Sequence, residues 1–163
     1  MAQIPLNRGL FAIVDDGDYF ELNKFRWVVV STKAGYYAIN RSKLGIILMH
    51  RLILNAPDGF DVDHKNGNRL DNRRENLRVC TRSQNLYNQK KKNRSGYKGV
   101  IFNPCQKKPY IVMISIAGKL TYIGNYLTAK HAATVYDDAA RQYHGEFAVL
   151  NFPNKIEQMK LEI

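Results

Sequence analysis

The sequence predicts an α+β chain: a β-rich segment, then a strand–turn–strand–helix unit of the ββα type, then a three-stranded antiparallel sheet packed on one helix. Three observations predict it. Short runs of β-branched and aromatic residues recur along the chain, each bounded by Gly, Pro, Asn or Asp. A polar, Asn- and Gly-rich stretch follows Val62, after an apolar run at 46–54 and a chain break at 55–59. Residues 129–143 carry apolar side chains at helical spacing.

Taken in order, Phe11-Ala12-Ile13-Val14 reads as a short strand, ended by Asp15-Asp16-Gly17-Asp18 as a turn. Asp15, Asp16, Asp18 and Glu21 have no accompanying His, so they read as a solvated turn rather than a catalytic cluster. Phe25–Val30 and Tyr36–Ile39 are strands, and Ser31–Gly35 between them is a hairpin loop. Residues 46–54 suit a strand or a short helix equally, because periodicity cannot decide so short an apolar run. Asn55-Ala56-Pro57-Asp58-Gly59 breaks the chain before Asp63-His64. Leu77–Thr81 alternates as a strand, and Thr81 or Ser83 caps a helix that runs through Asn85, Asn88 and the lysines that follow, with Asn85 and Asn88 on one face.

Gln89–Gly96 is polar and basic, and reads as a tether. Beyond it come strands at Gly99–Phe102, Tyr110–Ile116 and Leu120–Gly124, joined by turns at Asn103–Pro109 and Ala117–Lys119. Thr128 caps the helix Ala129–Tyr143, whose stripe is Ala132, Ala133, Val135, Tyr136, Ala139, Ala140 and Tyr143. His144-Gly145 ends that helix. The boundaries expected are 1–45 for a β-rich lead-in, 46–90 for the ββα module, 91–96 for the linker, 97–153 for the second module and 154–163 for a tail.

The net charge is +11, which attracts a polyanion, and nucleic acid is the obvious one. No run of 18 apolar residues exists, and the N-terminus lacks the pattern of a signal peptide. Cys80 and Cys105 fall outside any CxxC pattern, which argues against a zinc knuckle. Together these features predict an intracellular, cytoplasmic protein without a membrane span.

The chemistry concentrates in Val62-Asp63-His64-Lys65-Asn66-Gly67-Asn68, Asp71-Asn72, Asn76-Leu77-Arg78 and Asn85. Hydrolysis of a phosphodiester needs a base for water, a cation at the phosphate and an in-line geometry. Asp63 offers a carboxylate and Asn85 an amide oxygen, both suited to a hard divalent cation. His64 titrates near ~6.5 when unperturbed, which suits a general base. The strand must end or twist at Asp63-His64 for both to reach one phosphate, and Asn66-Gly67-Asn68 allows it. Asn76 reads as a brace that holds His64 through backbone bonds. His50 and Asn88 are accessory candidates; His50 serves equally well as a satisfied histidine at the core edge.

His50-Arg51-Leu52-Ile53, Val62 to Asn68, Asp71-Asn72, Glu75 to Arg78 and Gln84 to Asn88 resemble the HNH endonuclease family in its phage and intron-encoded homing branch. The resemblance implies a ββα-metal fold, with Asp63 and Asn85 as ligands of one divalent ion, Mg2+ or Mn2+. It implies His64 as general base and Asn76 as the central structural Asn. The third letter of the motif is met here by Asn85.

Tyr97 to Val100, Gly118-Lys119, Tyr122 to Gly124, Thr128-Ala129, Tyr136-Asp137 and Gly145 to Pro153 resemble the plant ethylene-response-factor (Apetala-type) DNA-binding domain. That resemblance implies a three-stranded sheet laid in the major groove of double-stranded DNA. Ser115 stands where Arg is common in that family. The DNA contacts expected from charge and position are Lys65, Arg78, Lys90, Lys91, Lys92, Arg94, Lys98, Tyr110 and Tyr122. The reading is a nuclease that nicks one strand as a monomer, a double-strand break requiring a dimer or two events. The alternative is a catalytically inactive DNA-binding or regulatory protein.

Overall fold

The computed structural model describes residues 1–32, 35–42, 45–89 and 93–153. The chain divides into two compact units, Met1–Asn85 and Leu86–Ile163. The fold is α+β throughout, with small antiparallel sheets and short helices. Among the described residues no helix is long and apolar enough to cross a membrane.

The first unit opens with a two-stranded ribbon, β1 (Ala2–Pro5) and β2 (Phe11–Val14). Helix α1 (Asp16–Leu22) follows, where the sequence suggested only a turn. Its acidic first turn complements the partial positive charge at a helix N-terminus. The acids here also have partners outside the helix: Asp15 Oδ2 accepts from the Arg74 amide at 2.8 Å, Asp16 from the Met1 ammonium at 2.8 Å, and Asp18 from Arg74 Nε and a terminal nitrogen, at 2.8 and 2.7 Å.

Strands β3 (Trp27–Thr32), β4 (Gly35–Ser42) and β5 (Gly45–Leu48) form an antiparallel meander. Residues 46–54 turn out to be both alternatives at once, the end of β5 and then helix α2 (Met49–Leu54). Asn55 ends α2 in the left-handed region, at φ 44°. Strands β6 (Asp61–His64) and β7 (Leu77–Cys80) pair antiparallel, and α3 (Arg82–Tyr87) follows. A reciprocal cap starts α3: Thr81 Oγ1 accepts from the Gln84 amide, and Gln84 Oε1 accepts from the Thr81 amide at 2.8 Å. Asn88 therefore lies past the helix end. Ile4, Val14, Trp27, Val29, Met49, Ile53, Val62 and Leu77 share one core, so β1 to β5 and the β6–β7 hairpin are packed together.

In the second unit β8 (Val100–Phe102), β9 (Tyr110–Ile116) and β10 (Lys119–Tyr126) make a sheet in the order β10-β9-β8. Helix α4 (Ala129–His144) lies on it, capped by Thr128, whose hydroxyl accepts from the His131 amide at 3.3 Å. Val100, Val112, Ile114, Ala132, Ala133, Tyr136 and Ala140 form the core between them. Gly99 sits at φ +73°, and a Cβ there would lie 1.9 Å from Cδ2 of the Tyr136 ring, so no larger residue fits. The buried stripe of α4 departs from the expected one: Tyr143 is exposed, and Asp137 and His144 are buried instead. Asp137 earns its place by accepting from the amides of Asn151 and Phe152 at 2.7 and 2.8 Å, which ties the last described segment to the helix.

Candidate active site

The site grows out of β6. Alternate strand residues face opposite sides, so Asp61 and Asp63 share one face while Val62 and His64 share the other. The strand stops at His64, where the Gly67 amide donates to the His64 carbonyl at 2.8 Å. Gly67 makes that turn at φ +79°, a left-handed conformation that glycine adopts without strain.

Asn76 stitches the loop to the strand end. Its Oδ1 accepts from the Asn66 amide at 3.0 Å, and its Nδ2 donates to the Asp71 carbonyl at 2.7 Å. Its own carbonyl accepts from the Lys65 amide at 2.9 Å. Asn66 Nδ2 donates to Asp71 Oδ2 at 2.8 Å, and Arg73 clasps Asp71 through Nε and a terminal nitrogen, each at 2.8 Å. Those donors hold the Asp71 carboxyl below the usual carboxylate range.

His64 is buried on the inner face of β6. Its Nε2 meets Asn72 Oδ1 at 3.3 Å. The His50 ring packs edge-on at 5.1 Å between centroids, and Tyr37 at 6.4 Å. Arg69 Nε donates to the Tyr37 hydroxyl at 2.6 Å. Burial lowers the pKa of His64, the Asn72 bond opposing it, so the neutral imidazole extends below its ordinary range. For His50 burial and the neighbouring His64 and arginines push the pKa down to about 3. His50 is thus a neutral packing partner of His64.

On the opposite face of β6, Asp63, also buried, stands across from Arg78 in the register of the hairpin. Arg78 Nε and a terminal nitrogen both donate to Asp63 Oδ2, at 2.9 and 2.7 Å. Helix α3 reaches the same face, where Asn85 Nδ2 donates to Asp61 Oδ2 at 2.8 Å. That bond and Arg82 hold Asp61 below the usual carboxylate range. A carboxylate can only accept, so the bond also fixes the Asn85 amide with its Oδ1 turned from Asp61. Among the described residues no three His, Cys, Asp or Glu cluster as metal ligands. The donor types at this face, a carboxylate and an amide oxygen, suit a hard divalent cation. A cation on Asp63 would compete with the Arg78 guanidinium for the same carboxylate.

A family model described as HNH endonuclease matches residues 55–87, the segment from the end of α2 through α3. Over 156 residues the chain is 32% identical to an uncharacterized HNH endonuclease of Acanthamoeba polyphaga mimivirus, and the match covers 92% of this chain and 78% of that one. This chain belongs to the HNH endonuclease family. It is a nuclease, a hydrolase. No solved structure matches it.

The remaining residues singled out in this HNH endonuclease are placed as follows. Lys65 is exposed at the loop, its Nζ on the Glu75 carbonyl at 2.8 Å. Arg94 is exposed, and Tyr122 is 57% exposed on the sheet face away from α4. Lys98 points inward: its ammonium donates to the Tyr87 carbonyl, and burial lowers its pKa to about 8. Tyr110 lies on the helix side of β9, its ring against Phe102 at 5.2 Å. Lys90, Lys91 and Lys92 lie outside the described residues. Beside the candidate residues the structure places three that the sequence did not single out, Tyr37, Asp61 and Arg73. Asp61 and Arg73 had only their position beside the motif residues as a signal, and Tyr37 had none.

Proposed function

We propose that this endonuclease is a DNA-nicking enzyme of homing type, with Asp63 and Asn85 as ligands of one divalent ion and His64 as general base. The observation that supports this best is local. A β-hairpin and the following helix bring Asn85 to the acidic face of β6, while His64 stands at the end of the same strand. A bound Mg2+ or Mn2+ would neutralise charge on the phosphate and on the leaving 3′ oxygen. His64, neutral and held by its neighbours, takes a proton from water and directs the oxygen at phosphorus. Arg78 offers its guanidinium beside Asp63, where a phosphate oxygen can receive it. The products are a 5′-phosphate and a 3′-hydroxyl.

The second unit binds double-stranded DNA in this reading, in the manner of the ethylene-response-factor domain it resembles. A three-stranded sheet backed by one helix is a shape that enters a major groove. Lys65, Arg78, Arg94 and Tyr122 are the contacts retained; Lys90, Lys91 and Lys92, outside the described residues, stay candidates by their charge. With one site per chain, a monomer nicks and a pair of chains cuts both strands.

The test is a supercoiled plasmid assay with the purified protein and Mg2+ or Mn2+. Relaxed circles should accumulate, and His64→Ala should lose this while binding DNA as the parent does. A His64→Ala protein that nicks at the parent's rate rejects the assignment of the base.

A further inference from the structure

Helix α3 supplies Asn85 to the proposed metal site, and an amide serves a cation only through its oxygen, because its nitrogen carries donors and no free lone pair. The two ends of the amide have nearly the same size, so packing does not choose between them. Asp61 does. It lies two residues before Asp63, on the same face of β6. Its Oδ2 accepts from Asn85 Nδ2 at 2.8 Å and from a terminal nitrogen of Arg82 at 3.2 Å. A carboxylate is ionised at neutral pH and can only accept. The reversed amide would set Oδ1 against Oδ2, oxygen against oxygen.

Among the described residues Asn85 Oδ1 has no hydrogen-bond partner. The amide thus keeps its oxygen open while its nitrogen is engaged. A charged acceptor on the N–H also draws negative charge onto Oδ1, which makes it a better ligand for a hard cation. The Arg82 side chain is 78% exposed, so its ion pair with Asp61 adds little to stability and does not account for Asp61. We propose that Asp61 is a positioning residue that turns the Asn85 amide so that its oxygen is the atom offered to the divalent ion. The proposal rests on the reading of Asn85 as a ligand.

The experiment has two parts. In the metal-free, isotope-labelled protein, NMR should detect a coupling across the hydrogen bond from Asn85 Nδ2 to the side-chain carboxyl carbon of Asp61, with Asn85→Ala and Asp61→Ala assigning the two groups. A wild-type protein without that coupling overturns the proposal. Mn2+ binding is then followed without DNA, by loss of the free-ion paramagnetic resonance signal. Asp61→Ala should weaken it by roughly 10- to 100-fold. Asp61→Asn, which drops the charge but still offers an acceptor to Nδ2, should recover most of the affinity. The double variant of Asp61→Ala with Asn85→Ala should bind no more weakly than Asn85→Ala alone, since Asp61 acts through Asn85. Additive losses mean that Asp61 acts by its charge and overturn the proposal, as does wild-type affinity in Asp61→Ala. If Asp61→Ala does not fold, the coupling and Asp61→Asn decide: an affinity for Asp61→Asn as low as that of Asn85→Ala overturns the proposal. Wild-type affinity in Asn85→Ala rejects the ligand reading itself, so the two failures are told apart.

Discussion

Asn76→Ala is a direct measure of how the loop after β6 is held. The Asn76 side chain is 6% exposed and makes two hydrogen bonds, to the Asp71 carbonyl and from the Asn66 amide. The first is buried, at 2.7 Å. Losing it forfeits about 1 kcal/mol of net bonding and leaves a buried carbonyl without its donor, at about 1–3 kcal/mol more. The second is partly exposed, and water replaces the lost acceptor at small cost. The expected loss is therefore about 2–4 kcal/mol, a large share of the ~5–15 kcal/mol that holds a domain folded. Trp27 is the only tryptophan and lies in the first unit's core, so its emission during urea unfolding reports that unit. Asn76→Asp keeps the acceptor but sets a carboxylate against the Asp71 carbonyl, and should cost as much. A loss below about 0.5 kcal/mol for Asn76→Ala, the range of an ordinary surface substitution, would refute the bracing argument.

Two further outcomes follow from the same structure. Because the folded pKa of His50 is about 3 against 6.5 for the free side chain, the unfolded chain binds the extra proton, and stability is full above pH 6.5 and falls as pH drops toward 3. At pH 5 this amounts to about 2 kcal/mol, with His64 and His144 acting in the same direction. His50→Phe should flatten the urea midpoint between pH 7 and pH 5, and an unchanged slope would exclude His50 as its source. Gly99→Ala places a methyl into the Tyr136 ring and a side chain at φ +73°. It should cost about 2–5 kcal/mol from strain and overpacking combined, read as faster amide exchange at Met113, whose N–H donates to the Gly99 carbonyl at 2.9 Å. Exchange at the parent rate would contradict it.

The order of elements from Val62 to Tyr87 was legible because every signal there is local: an alternating strand, an Asn-Gly turn and a Thr or Ser able to cap the helix. The sheet and helix of the second unit were legible for the same reason. Helix α1 was not, since Asp15-Asp16-Gly17-Asp18 is as good an acidic helix start as a turn. Which way β9 faces was also hidden, because Ile111, Val112, Met113 and Ile114 are apolar on both sides, and a one-residue shift moves every side chain across the sheet. That is why Tyr110 reads as surface in the sequence and packs beside α4 in the fold. The partners of the site residues were illegible for a different reason. Tyr37 beside His64 and Asp18 on Arg74 join residues far apart in sequence, and nothing in either stretch announces the other.

The bridge between Ile13 and Asp71 bears on how the enzyme comes into being. Closing that span costs roughly 3–4 kcal/mol of chain entropy, which only later packing offsets. A chain still leaving the ribosome therefore carries Asp63 and His64 for some time before the strand and the loop that hold them can meet. It also follows that the segment 55–87, transplanted to another scaffold, would leave behind the Ile13 backbone on which its own loop hangs. A working graft has to take the first strands with it.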